Sequence, residues 1–172
     1  MTDPMLHMIC GGVGAGKTTY ALGLSRRLGG IHFSIDEWMT ALFGRDTPPR
    51  LRWDWIAERA TRCEALIARM ACQSAYLGVP AVLDQAFLCA ADRARLVAIA
   101  EQERLSVQLH YLDVPSDERW RRVTARNVDK GNTFTIELTR EMFDFFEKRW
   151  EPPTAVELAK FRGVHIGSHP PY

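Results

Sequence analysis

The chain has 172 residues, 47% hydrophobic and 25% charged, and its 22 Lys and Arg against 21 Asp and Glu leave a formal charge of +1. That apolar share excludes intrinsic disorder, the length fits a single domain over 1–172, and the charge balance removes a blanket attraction to nucleic acid or anionic membrane. The longest uncharged stretch, 70–83, holds Gln73, Gly78 and Pro80 and falls short of the ~20 apolar residues of a membrane span.

The first predicted element is a compact apolar strand over 5–10. Asp3 and His7 break any secretory signal pattern there, so a cytoplasmic protein is expected. Cys10, Cys63, Cys72 and Cys89 show no C-x-x-C spacing and sit in apolar surroundings, which predicts small buried thiols rather than disulfides or a zinc site.

Directly after that strand, Gly11, Gly12, Val13, Gly14, Ala15, Gly16, Lys17 and Thr18 match G-x-x-x-x-G-K-[ST], with Thr19 next and a helix predicted over 17–28. Strand, glycine loop, then helix is the context this motif requires. Glycines let backbone N–H groups converge on phosphate oxygens at the positive end of a helix, whose first amides have no intrahelical partner. Lys17 would set a point charge against the β- and γ-phosphates, and the Thr18 hydroxyl would coordinate Mg²⁺. ATP and Mg²⁺ are therefore the expected cofactors.

A second strand is predicted over 31–35, ending at Asp36, and a short helix over 37–43. A carboxylate beyond the carboxyl end of a strand in an open α/β sheet stands where ligands gather, and it can take the proton of an attacking hydroxyl. N-capping of the short helix is the competing role for Asp36. Behind it, Trp38, Met39, Phe43, Arg45, Arg50, Arg52, Trp53 and Trp55 cluster in the sequence as a candidate aromatic and cationic wall for an acceptor, against the commoner fate of tryptophan in a core.

A long amphipathic helix is expected over 53–77, with Ile56, Ala60, Cys63, Ile67, Met70, Ser74 and Leu77 along one stripe. The third strand, 81–83, leads into Asp84, which is placed to hold Mg²⁺ or to meet the acceptor. Further helices are predicted over 91–104, 116–127 and 139–149, with a fourth strand at 107–112 and a fifth at 161–166. Repeated strand-then-helix order means a parallel sheet covered by helices on both faces. Arg119, Arg122 and Arg126 lie at i, i+3 and i+7, hence on one helix face, just before the polar, glycine-containing run 128–133. Arginines beside such a mobile lid, about 126–138, can close on transferring phosphates, although a solvated basic face is the ordinary reading. The five histidines lack ligand spacing and no G-x-S-x-G elbow is present, so zinc hydrolysis and serine acyl transfer have no support.

Together, Gly11 to Thr18, Phe33-Ser34-Ile35-Asp36, Val82-Leu83-Asp84, Tyr111-Leu112-Asp113-Val114-Pro115 and the Arg119 to Arg126 helix resemble the small P-loop kinases. The group in view contains chloramphenicol phosphotransferase, zeta toxin and the kinase domain of polynucleotide kinase, and is loosely labelled AAA. The resemblance implies a three-layer α/β/α sandwich with a five-stranded parallel sheet in the order 2-3-1-4-5 and a small helical lid. It also implies ATP and Mg²⁺ as cofactors, Asp36 as the base that activates an acceptor hydroxyl, and the lid arginines Arg119, Arg122 and Arg126 on the phosphates. Relatives acting on nucleic-acid ends follow the third-strand acid with Thr-Asn, where this chain has Gln85-Ala86, so a small-molecule acceptor is expected before a 5′-hydroxyl polynucleotide. A nucleotide-dependent switch without a phosphoryl acceptor is the reading from a different class. The stretch 163–169 is the candidate neighbour of the adenine.

Overall fold

The computed structural model describes residues 5–48, 50, 52–85, 87–129 and 137–168. In chain order the elements are β1 (Met5–Cys10), α1 (Lys17–Leu28), β2 (Ile31–Ser34), α2 (Ile35–Phe43), α3 (Trp53–Tyr76), β3 (Ala81–Asp84) and α4 (Ala90–Gln102). They continue with β4 (Ser106–Leu112), α5 (Ser116–Asp129), α6 (Arg140–Glu147), α7 (Ala155–Lys160) and β5 (Val164–Ile166), and a single 3₁₀ turn, Gly44–Asp46, follows α2.

All five strands run parallel in the order β2-β3-β1-β4-β5, as the resemblance implies. Parallel neighbours need crossover connections, and the helices between strands supply them. From β1 the chain goes out to the edge strand β2, returns to β3 beside β1 and then crosses to β4 and β5 on the other side, so the loop leaving β1 lies at the switch in strand order where α/β sheets bind ligands.

Side chains alternate across the strands and divide the core in two. Leu6, Met8 and Cys10 of β1, Leu83 of β3 and Leu109 of β4 pack with Cys63, Ile67 and Ala71 of α3 and Leu96 and Ala100 of α4. On the other face Ile9, Val82 and Leu112 meet Tyr20, Ala21 and Leu24 of α1. A sheet buried on both faces accounts for strands that read as nearly continuous apolar runs. Cys10, Cys63 and Cys72 are buried free thiols and Cys89 is half-buried; burial pushes the Cys10 thiol up to about 12, which makes it an inert neighbour of the glycine loop.

Helix ends shift by one or two residues and β5 begins at Val164 rather than at 161, while two further differences from the sequence expectation have identifiable local causes. β2 stops at Ser34, whose hydroxyl accepts from the Glu37 amide at 3.3 Å and so starts α2 two residues earlier than predicted. α7, absent from the prediction, opens with a capping box: the Thr154 hydroxyl accepts from the Glu157 amide at 3.2 Å, and Glu157 accepts in return from the Thr154 amide at 2.9 Å. The fully buried Arg93 of α4 then fastens α7 with Nε and Nη2 donating to Glu157 at 2.7 and 3.2 Å, and Nη1 to the Glu151 carbonyl at 2.8 Å. Among the described residues no helix is long and apolar enough to cross a membrane.

Candidate active site

The glycine loop takes a shape that ordinary side chains resist. Gly14 and Gly16 sit at φ +80° and +91°, in the left-handed region, and Gly16 leads into α1 without any side-chain cap on the first amides. Those amides are the unpaired donors that suit an anion. Lys17 folds back along the loop, with Nζ donating to the Gly11 carbonyl at 2.9 Å and the Gly12 carbonyl at 3.3 Å. Burial lowers its proton affinity, and the carboxylates Asp84 and Asp36 oppose that shift. Thr18 and Thr19 follow in the first turn of α1.

Two acids face this lysine from neighbouring strand ends. Ser34 and Asp84 are register partners across β2 and β3, and Asp84 is buried on the α1 side, the side of Val82 two residues before it. His32 stands 3.3 Å from Asp84, Nε2 to Oδ2. Asp36 occupies the first turn of α2, and because Ser34 does the capping its carboxylate is not spent there, which corrects the capping alternative. It keeps an exposed face, yet the protein around it and then the nearby Asp84 charge push its carboxyl up, while Lys17 and Arg126 pull it down. Lys17, Asp36, Asp84 and Arg126 thus form one electrostatic group.

The three arginines of α5 have separate fates. Arg119 is buried: Nε donates to the Val114 carbonyl at 2.8 Å, Nη1 to the Val13 carbonyl at 3.2 Å and to Glu147, and Nη2 to Glu147 at 2.8 Å. A Cβ on Gly12 would lie 2.6 Å from its Cζ, so Gly12 makes room for this buttress under the loop. Arg122 donates to Glu118 at 2.8 Å, to the Ala15 carbonyl at 3.3 Å and to the Ser168 carbonyl at 2.6 Å, which ties the loop to the chain just after β5. That is the stretch expected near adenine; its last residue, His169, lies outside the described residues.

Arg126 is half-buried, and its Nε is enclosed without a hydrogen-bond partner among the described residues. Of these three arginines it is the one without a hydrogen bond to another described residue. Of the predicted lid, residues 130–136 lie outside the described set; its base is pinned where Asn127 donates to the Leu138 carbonyl at 2.9 Å and accepts from the Leu138 amide at 3.2 Å. The donor set fits a triphosphate with its cation: uncapped amides, one lysine and one uncommitted arginine answer the phosphates, and an acid stands on the same side as the Thr18 turn.

A family model described as AAA domain matches residues 6–153. The chain belongs to this AAA domain family. Three solved structures share the fold of this family member. A presumed kinase from Chloroflexus aurantiacus superposes with TM-score 0.74 at 14% identity, over 97% of this chain and 89% of that one. Kti12 from Chaetomium thermophilum, in complex with ADP-AlF3, gives 0.67 at 15% identity over 94% and 88%. A gluconokinase from Sinorhizobium meliloti gives 0.62 at 16% over 99% and 86%. No curated protein matches the chain in sequence.

In this AAA domain the aromatic wall read from the sequence is largely core. Trp38, Met39 and Phe43 pack onto the α3 side of the sheet, and Trp55 lies 4.0 Å under the Arg59 guanidinium. Of the wall's aromatic residues only Trp53 keeps a broad exposed face, stacked on Phe145 of α6 at 4.9 Å, and the cationic members Arg45, Arg50 and Arg52 are exposed. His32 and Glu147 were missed by sequence reasoning. His32 lacks any motif, and its parity with Asp84 along paired strands was the available signal; nothing in the sequence joins Glu147 to an arginine 28 residues away.

Proposed function

We propose that the chain is an ATP-dependent phosphotransferase acting on a hydroxyl of a small molecule. The observation that carries this reading is Asp36: a carboxylate freed from capping by Ser34, with raised proton affinity, in the field of Lys17 and Arg126 beside a phosphate-shaped loop. The loop amides and Lys17 would hold the β- and γ-phosphates, and Thr18 with Asp84 would hold Mg²⁺. When bound, that ion supplies charge screening and orientation of the phosphate oxygens. His32 keeps Asp84 oriented from β2. Asp36 accepts the proton as the acceptor oxygen attacks, and Arg126 neutralises charge on the transferring group. Arg119 contributes by holding the loop rather than by touching phosphate.

A small-molecule acceptor is favoured by the absence of a blanket positive charge and by Gln85 in place of the Thr-Asn pair. The test is incubation of a metabolite extract with γ-labelled ATP and either wild-type protein or Asp36→Asn. Label is expected in a small-molecule fraction with the wild type and not with the variant. Equal incorporation by both would remove Asp36 from the mechanism, and label entering only oligonucleotides would move the acceptor to nucleic acid.

A further inference from the structure

Beyond the phosphate loop, the carboxyl end of β3 serves a second space. Asp84 turns to the α1 side, and the next residue, Gln85, lines a cavity of about 190 Å³ on the other face of the sheet, between α3 and α4. Its walls are largely apolar: Ala65 and Ala68 of α3, Leu96 and Ile99 of α4, and Phe87 after β3. Gln85 is 7% exposed, and its Nε2 has no hydrogen-bond partner among the described residues. An amide donor buried without a partner is a net cost to folding, and a ligand oxygen reaching it recovers that cost.

The charges at this cavity set the sign of the ligand. Arg95 is engaged by Asp92 at 2.7 Å, while Glu64 makes no ion pair among the described residues, so the lining carries an uncompensated acid. Burial pushes the Glu64 carboxyl up, as expected where water is scarce. An anion entering here would meet that acid and gain no free cation. We infer that the cavity between α3 and α4 binds a small uncharged amphiphile, its apolar body against Ala68, Phe87, Leu96 and Ile99 and an oxygen accepting from Gln85 Nε2. A cavity of about 150 Å³ accommodates benzene, so a ligand of six or slightly more heavy atoms fits. The same chemistry serves an acceptor alcohol or an effector that acts through the adjacent Asp84. The binding claim stands without the proposed phosphotransfer.

The test is a titration of the whole chain, labelled at Ala, Leu and Ile methyls, with isobutyramide and with isobutyrate, a carboxylate anion of nearly equal shape, to about 50 mM. Isobutyramide is expected to give saturable shifts confined to Ala65, Ala68, Leu96 and Ile99, with isobutyrate about tenfold weaker or more. Gln85→Leu, which keeps the volume and removes the donor, is expected to lose at least about tenfold in affinity. Ala65→Leu, at the exposed shoulder of α3, blocks the mouth and serves as the second variant should Gln85→Leu not fold. Isobutanol with γ-labelled ATP then separates the two sources: label in the alcohol marks an acceptor site, and binding without label marks an effector site. Absence of saturable shifts, equal shifts with isobutyrate, or titrations unchanged by the variants would overturn the inference.

Discussion

The underside of the phosphate loop and its mouth are built on opposite plans. Below, Arg119 is buried with both ends of its guanidinium engaged by the Val114 and Val13 carbonyls and Glu147, and Glu147 also accepts from Ser116 at 2.8 Å. At the mouth, Asp36 has no capping duty and Arg126 keeps an enclosed Nε without a partner among the described residues. Both regions draw on one helix, two turns apart. The difference teaches that the same residue type serves as scaffold where its donors are saturated and is available for chemistry where they are not.

The largest effect that would sharpen this contrast is at the mouth. Asp36→Asn is expected to lower the rate of phosphoryl transfer by about 10²–10⁴ while nucleotide still binds, the range for removing a positioned base. Because burial and Asp84 raise the Asp36 pKa, the wild-type rate should fall with decreasing pH through a value above the ordinary ~3.9 of aspartate, and a limb at or below that value would break the assignment.

Next comes the arginine pair. Arg126→Gln is expected to reduce turnover by about 10²-fold, with stability unchanged within ~0.5 kcal/mol. Arg119→Met strands Glu147 and should cost ~3 kcal/mol, a fall in Tm of about 6–12 °C. Exchanged phenotypes, read by thermal melts and transfer assays side by side, would erase the distinction.

A smaller effect belongs to the saturated side. His7 Nδ1 lies 3.1 Å from His110 Nε2, and the Tyr20 hydroxyl 2.9 Å from His110 Nδ1, all behind the loop. Burial pushes His110 down to about 3 and lowers His7 as well. A histidine whose folded pKa lies below its unfolded ~6.5 lends stability that is present above that value and lost as pH falls toward the folded one, because the unfolded chain binds the proton first. From pH 7 to pH 5 the His110 contribution should fall by up to ~2 kcal/mol, visible as a lower urea midpoint, and His110→Phe should flatten the dependence. The smallest effect returns to Asp36. Removing a carboxylate crowded by Asp84, discounted for the solvent that screens its exposed face, should raise the Tm of Asp36→Asn by about 1–2 °C.

Much of the architecture was legible because it follows from local pattern. The apolar runs gave the strands, the glycine loop gave the nucleotide corner, and the resemblance supplied the order 2-3-1-4-5 that the pairing shows. What escaped was of two kinds. The Ser34 cap and the Thr154 to Glu157 capping box are short-range signals that were readable, the first of them in competition with Asp36 as a cap. The pairing of Arg119 with Glu147 and the placement of Gln85 in a cavity depend on how distant helices pack, and no spacing in one sequence encodes them. Periodicity put the three arginines on one face, but only tertiary contacts separated buttress, tie and uncommitted cation.

The central claim, that the loop from Gly11 to Thr18 holds a triphosphate with Lys17 against it, is tested most directly by titration calorimetry with ATP and magnesium on the wild type and Lys17→Ala. The account predicts saturable one-site heat for the wild type and at least about a tenfold loss of affinity in the variant. Absence of heat with the wild type, or equal affinity in the variant, would contradict it.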